Sequence, residues 1–132
     1  NTGRYVCGTM FGAVLECFEL RNNKIERTAL RLIDPPKMDL SGPVIKAVDG
    51  KKYGFFIFCI DGDIIFANYM DTLDANDFND IVSFDWNGHE KIKYSANQNI
   101  LRMCPGEKSG EELFCIVSSP EREFSLAKLT LK

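Results

Sequence analysis

The sequence predicts an α+β fold, in which one helix packs on an antiparallel β-sheet. The helix is expected over residues 24–33, because Asn23 and Glu26 stand three positions apart, which is the spacing of a capping box. Pro35 ends this segment, since a proline disfavours a helical conformation in the residue before it. The apolar residues that share one face of the expected helix are Ile25, Ala29, Leu32 and Ile33.

The rest of the chain has the pattern of strands joined by tight turns. Asp49-Gly50, Asp61-Gly62 and Asn87-Gly88 are typical of hairpin turns, because glycine accepts the positive φ that these turns need. The predicted strands span residues 4–10 and 13–20, which form an N-terminal hairpin, then 44–48, 52–60, 63–70, 81–86, 90–95, 99–104 and 113–117. Residues 123–131 fit either an edge strand or a last helical turn.

Composition limits the function classes. The 132 residues suit a single domain over 1–132, and 45% of them are hydrophobic, which is enough for one core. The net charge of −3 gives no general attraction for RNA or DNA. The sequence has no apolar run of about 18 residues, so it predicts no membrane span. We expect a monomer that does not associate with membranes.

The cysteine pattern leaves two interpretations open. The five cysteines are Cys7, Cys17, Cys59, Cys104 and Cys115. They form no CxxC pair and the chain has one histidine, so we expect no metal site. A bridge between Cys7 and Cys115 would close most of the chain and stabilise it by roughly 4–5 kcal/mol. The other interpretation is five reduced thiols, with Cys59 and Cys104 in apolar runs as core residues.

The N-terminal Tyr5-Val6-Cys7-Gly8 resembles the Tyr-x-Cys motif of powdery-mildew secreted effectors, the ribonuclease-like proteins associated with haustoria. These effectors are related in fold to fungal guanyl-specific ribonucleases. Residues 92–100 are similar to the family's penultimate hairpin, and residues 109–115 to its closing stretch of glycine, aromatic residue and cysteine.

The resemblance implies a fold, a disulfide bridge (the staple) and a function. The fold would be an N-terminal hairpin and one helix on a curved antiparallel sheet, as in microbial ribonucleases, with Cys7 bridged to Cys115. The function would be that of a virulence or avirulence effector, secreted by the fungus and acting in the plant cytoplasm. Its partners would be host plant proteins and an intracellular nucleotide-binding leucine-rich-repeat (NLR) immune receptor.

The sequence lacks the residues of a ribonuclease centre. General acid–base catalysis needs two groups on opposite sides of the phosphorus. The chain has a single histidine, His89, to serve as one of them. Glu90 follows it directly, so the two side chains would point to opposite faces of a strand. The loop in which the family's acid histidine would fall begins Pro105-Gly106-Glu107. We therefore expect a pseudo-ribonuclease without cofactor.

Two rival functions remain open at this point. The first is an active or RNA-binding secreted ribonuclease, since basic and aromatic residues alternate in Lys51-Lys52-Tyr53 and in Lys91, Lys93 and Tyr94. Lysines that guard strand edges would give the same pattern, so RNA contact is expected to be weak. The second is an unrelated β-rich binding module, such as a lectin or protease inhibitor, which a structure without the helix would favour.

Polar loops are the predicted partner surfaces, because binding residues concentrate on loops held by a rigid frame. The candidate loops are residues 71–79 and 105–112, together with the tail after Ser118. The candidate partner-binding residues are Asp71, Asp74, Asp77, Glu107, Lys108 and Glu111. The aspartates recur every third residue but lack the glycine and final glutamate of a calcium loop, so a solvated loop or helical turn is expected there.

Overall fold

The computed structural model describes residues 3–44, 46–47, 52–74, 76–119, 121 and 123–132, and this part of the chain forms strands only. The strands are β1 (Arg4–Gly8), β2 (Ala13–Arg21), β3 (Lys24–Asp34), β4 (Met38–Asp39), β5 (Lys46–Ala47), β6 (Tyr53–Asp61), β7 (Ile64–Thr72), β8 (Asp80–Phe84), β9 (Glu90–Ser95), β10 (Asn99–Pro105), β11 (Glu112–Ser118) and β12 (Phe124–Thr130). The predicted α+β class is therefore wrong, and no helix packs on a sheet in the described residues.

Consecutive strands form three antiparallel sheets in chain order. The first sheet is β1-β2-β3, the second is β6-β7-β8-β9 and the third is β10-β11-β12, while β4 and β5 form a short separate ladder. The second sheet lies in the middle, because its side chains enter both hydrophobic clusters of the protein.

The first cluster fills the space between the first and second sheets, and the second cluster fills the space between the second and third. The first contains Ala13, Leu15, Cys17, Phe55, Ile65, Ala67, Val82 and Phe84. The second contains Cys59, Phe66, Ile81, Ile100, Met103, Leu113, Cys115 and Val117. Adjacent residues of β7 and β8 alternate between the two clusters, as side chains of a strand covered on both faces must.

The segment predicted as a helix is the strand β3. Asn22 and Asn23 have φ of 50° and 60°, so they form the two-residue turn of a β2–β3 hairpin and not a helix N-cap. The ladder is shifted between Cys17 and Phe18, which leaves Thr28 as an extra residue in β3. This bulge interrupts the alternation of inward and outward side chains along β3. The apolar residues Ile25, Ala29, Leu32 and Ile33 are therefore spaced as they would be on one face of a helix.

Most predicted strands are confirmed. The N-terminal hairpin forms as β1–β2, and the hairpins at Asp61-Gly62 and Asn87-Gly88 form as β6–β7 and β8–β9. Residues 124–130 are the edge strand that was one of two expectations for this segment. The Asp49-Gly50 turn lies outside the described residues. The described part of the chain contains no helix that could span a membrane.

The staple that the resemblance implied is absent. Cys7 is a free, exposed thiol on β1 of the first sheet, and Cys115 is a free, buried thiol on β11 of the third. The second sheet lies between these two strands, so the two sulfur atoms belong to different layers. Cys59 is buried as predicted, whereas Cys104 is exposed because it lies on the outer face of β10.

Candidate binding cleft

The strands alternate in direction, so their connections divide between two ends of the stack. The β7–β8, β9–β10 and β11–β12 connections lie at one end, which we call the loop end. The β6–β7, β8–β9 and β10–β11 connections lie at the opposite end, which we call the turn end. The loop end carries a cleft between the β7–β8 loop, the β9–β10 connection and the adjoining end of the third sheet.

Two asparagines fix the β7–β8 loop, which forms one wall of this cleft. Asn68 on β7 is fully buried, and its Nδ2 donates to the carbonyls of Phe78 and Asp80, each at 2.9 Å. Asn99 on β10 accepts from the Phe78 amide at 3.1 Å and donates to the Asn76 carbonyl at 2.6 Å. The backbone of Phe78 is therefore bound from both neighbouring strands.

Aromatic and carboxylate contacts complete the wall. The Phe78 ring lies 5.5 Å from the Phe56 ring, which anchors the loop on β6. Asp74 Oδ1 accepts from the backbone amide of Asn76 at 2.8 Å and from its side chain at 2.9 Å. These contacts tie the described residues of the loop to the sheets, and a loop that is already positioned reduces the entropic cost of binding.

The cleft has a volume of about 490 Å³ and an uncharged lining. Five carboxamides, two hydroxyls and three apolar side chains line it: Asn76, Asn79, Asn97, Gln98, Asn99, Ser118, Ser119, Phe78, Leu101 and Phe124. Among the described residues, no acidic or basic side chain contributes to this lining.

Some polar side chains of this lining form hydrogen bonds within the protein, and others are free to bind a ligand. The Asn99 side chain is used in holding the loop, whereas Asn79, Asn97 and Gln98 make no side-chain hydrogen bond to the described residues. Phe124 is 70% exposed at the start of β12. A carboxamide both donates and accepts, so the cleft offers three bifunctional hydrogen-bonding groups beside an exposed aromatic ring.

The predicted aspartates lie at the loop end but act within the protein. Asp71, the penultimate residue of β7, has φ of 43° and accepts from Lys52 Nζ at 2.9 Å. The Asp77 amide donates to the Asp74 carbonyl at 3.2 Å, and Asp74 itself holds Asn76. The described residues of this segment form an isolated hydrogen-bonded turn and no helix.

The other predicted partner residues lie at the turn end. Glu107, Lys108 and Glu111 belong to the β10–β11 turn, which Asp61 fixes by accepting from Ser109 Oγ at 2.8 Å and from the backbone amide of Gly110 at 2.6 Å. The structure therefore does not bring the two predicted sets together, because they occupy opposite ends of the stack.

His89 lies in the β8–β9 turn beside the ion pair of Asp85 and Lys91. Its Nδ1 lies 3.3 Å from Asp85 Oδ2, and Lys91 Nζ lies 3.0 Å from the same oxygen. Burial alone would raise the pKa of Asp85, but hydrogen bonds from the backbones of His89 and Asn87 and from the side chains of Lys91 and His89 lower it to about 2. An ionised carboxylate fixed by turn hydrogen bonds has a structural role.

The basic residues once considered for RNA contact are paired with acids. Lys52 contacts Asp71, Lys91 contacts Asp85, and Lys93 Nζ lies 2.6 Å from Asp80 Oδ2. Lys51 lies outside the described residues. Each described lysine of this set shares its charge with a carboxylate, so these positions form no free basic surface.

The buried thiols are poor nucleophiles. Burial raises the pKa of Cys17 to about 11, of Cys59 to about 12 and of Cys115 to about 11, so all three are protonated at neutral pH. In the described part of the chain, no group of three or more histidine, cysteine, aspartate or glutamate side chains could hold a metal ion.

Sequence reasoning missed the cleft, although one signal was available. Carboxamides concentrate in two short segments, residues 76–79 and 97–99, and these segments meet in the structure. No family model, no curated protein and no solved structure matches this chain.

Proposed function

We propose that this protein is a non-catalytic binding module whose cleft takes a neutral oligosaccharide. The observation that carries the proposal is the uncharged lining, in which carboxamides and hydroxyls surround an exposed phenylalanine. A binding module without the predicted helix was one of the rival functions that the sequence left open.

The chemistry of the lining fits a sugar better than the other ligand classes. Sugar hydroxyls donate and accept, and the free amides of Asn79, Asn97 and Gln98 do the same. The ring of Phe124 offers an apolar surface against which the C–H face of a pyranose can pack. An anionic ligand would find no cation in the described lining, and a purely apolar ligand would leave the amides unpaired.

Binding can be measured by titrating the purified protein with neutral oligosaccharides of several linkages, followed by calorimetry and amide NMR shifts. We expect a dissociation constant of about 10 µM to 1 mM for at least one neutral oligosaccharide. The shifted amides should come from residues 76–79, 97–99 and 118–119. An acidic polyuronide and a single-stranded RNA serve as charged comparison ligands and should not bind there.

Variants separate the cleft from the rest of the surface. Asn97→Ala with Gln98→Ala should weaken oligosaccharide binding at least tenfold, which is about 1.4 kcal/mol. Asn87→Ala, an exposed carboxamide at the turn end, should leave affinity unchanged. Binding of RNA or polyuronide with shifts in the cleft, or no neutral ligand at all, would contradict the proposal.

The effector function implied by the resemblance remains a prediction. Its structural support was the ribonuclease frame and the Cys7–Cys115 staple, and neither is present. Host proteins and an NLR receptor as partners, secretion and action in the plant cytoplasm are compatible with a sugar-binding module. The ribonuclease alternative would need cleavage of total RNA that is lost in His89→Ala.

A further inference from the structure

One hydroxyl in the cleft is almost buried and has no hydrogen-bond partner in the described part of the chain. Ser118, the last residue of β11, lines the cleft and exposes only 8% of its surface. Its side chain makes no hydrogen bond to the described residues. Buried polar groups are normally hydrogen-bonded, so the partner of this hydroxyl must come from whatever occupies the cleft.

The strands of the third sheet determine what surrounds this hydroxyl. In the antiparallel register, Ser118 lies opposite Asn99 of β10 and opposite Phe124 of β12. Residues that are opposite each other in register point to the same face of a sheet, and neighbouring strands lie about 4.8 Å apart. A row of amide, hydroxyl and aromatic ring therefore crosses the loop end of the third sheet over roughly 10 Å.

The free carboxamides of the lining come from two neighbouring connections. Asn97 and Gln98 belong to the β9–β10 connection, and Asn79 directly precedes β8. The backbone carbonyl of Asn79 accepts from the amide of Ala96 at 2.9 Å, which joins the two segments. A ligand in the cleft therefore meets carboxamides from these connections, and a hydroxyl and an aromatic ring from the third sheet.

The small exposed area of Ser118 limits which part of a sugar can reach it. A pyranose ring that lies on Phe124 is too broad, so only a narrow group that projects from the ring can enter. The acetamido group of an N-acetylated sugar is narrow and has one N–H donor, one carbonyl acceptor and a methyl group. Because a secondary amide is planar and trans, its N–H and its carbonyl point to opposite sides.

We propose that the ligand of this cleft is an oligosaccharide of N-acetylated amino sugars, whose acetamido group binds Ser118. The acetamido N–H donates to the Ser118 hydroxyl, and the carbonyl accepts from the carboxamide of Asn97 or Gln98. The methyl group packs against the apolar side chains of the same lining, Leu101 and Phe124. This inference rests on the proposed sugar-binding function and narrows its ligand class.

The two closest sugar classes fit the same contacts less well. A sugar with a plain hydroxyl in place of the acetamido group has no methyl to bury and a shorter reach towards Ser118. An unacetylated amino sugar carries an ammonium group, which would meet no carboxylate in the described lining. The acetyl group is therefore the feature that the cleft should distinguish.

Calorimetry with three β-1,4-linked trisaccharides tests the proposal, because the sugars differ only in the group at C2: acetamido, hydroxyl or ammonium. We expect the N-acetylated trisaccharide to bind at least about tenfold more tightly than either of the others, from one added hydrogen bond and one buried methyl. Any smaller preference, or binding confined to neutral sugars without an acetamido group, would overturn this inference and leave the proposed function standing. Binding of no neutral oligosaccharide would overturn both.

A variant tests the assignment to Ser118. Ser118→Ala should weaken binding of the N-acetylated trisaccharide about tenfold and leave the glucose trisaccharide unchanged, so that the preference disappears. Ser125→Ala, an exposed serine of β12 outside the lining, is the matched control and should keep the preference. Equal weakening for both sugars, or an unchanged preference, would overturn the assignment. If Ser118→Ala does not fold, the three sugars still test the proposal on the unaltered protein.

Discussion

At the scale of single residues, the side chains that shape the candidate site are buried or half-buried amides that the sequence does not distinguish from loop residues. Asn68 lies in an apolar strand, and Asn99 begins another, yet both bind the backbone of one loop across 10 to 23 positions of sequence. Local patterns could identify the loop as polar. They could not identify its anchors, because the partners are brought together only by sheet packing.

Asn68→Ala should destabilise the protein and open the cleft. The substitution leaves the carbonyls of Phe78 and Asp80 without their donor, and buried unpaired acceptors make this cost about 2–3 kcal/mol of unfolding free energy. Urea unfolding measures the loss, and hydrogen exchange should show faster exchange in residues 76–79. A loss well below 1 kcal/mol would contradict the anchoring role, and Asn87→Ala provides an exposed comparison.

The stability that Asp85 contributes should depend on pH. Its folded pKa of about 2 lies below the usual value of 3.8, so its contribution is full above pH 4 and is lost as pH falls towards 2. Asp85→Asn should lower the unfolding free energy by about 1 kcal/mol at neutral pH, after allowance for solvent screening. Urea unfolding near pH 7 and near pH 2 measures both values. An equal loss at both pH values would contradict the electrostatic account.

At the scale of elements, the hairpins that turn at glycine were predicted correctly and β3 was not. The glycine turns at Gly62 and Gly88 mark hairpins through local backbone requirements, and they form as expected. Residues 24–34 contain good helix formers and a proline after them, but pairing with β2 overrides these preferences. The Asn22-Asn23 pair was the local signal of a hairpin turn, since both residues tolerate positive φ.

The junction of the first and second sheets should depend on Gly54. Its amide donates to the Met10 carbonyl at 2.7 Å, and a Cβ atom at this position would overlap the backbone of Gly12. Gly54→Ala should cost at least about 3 kcal/mol in thermal or urea unfolding. Gly42→Ala is the control, because a Cβ there would have no atom of the described residues within 4 Å, and it should change stability by about 0.5 kcal/mol or less. Equal effects would contradict this close approach.

At the scale of the whole molecule, the sequence indicated a strand-rich domain but not the stack. The run 55–60 is apolar on both faces and β6 contributes side chains to both clusters, but β6 is an edge strand of its sheet, with Phe56 and Ile60 each 42% exposed. The order of the sheets depends on contacts between distant segments, which no local pattern encodes. The expected Cys7–Cys115 staple came from a resemblance in order and spacing, and the two cysteines lie in different layers.

The five thiols are distributed over both outer faces and both hydrophobic clusters of the stack. The number of thiols that react in the folded protein and in denaturant is therefore the sharpest test of the three-sheet arrangement. Cys7 and Cys104 lie on the two outer faces, Cys17 in the first cluster, and Cys59 and Cys115 in the second. In dilute protein isolated without reductant, a chromogenic disulfide reagent should modify two thiols in the folded state and five in denaturant. If three or fewer thiols react in denaturant, and Cys7 and Cys115 are the two that do not react because they form a disulfide, the three-sheet stack would be contradicted. The disulfide-bridged ribonuclease-like fold would then be favoured again.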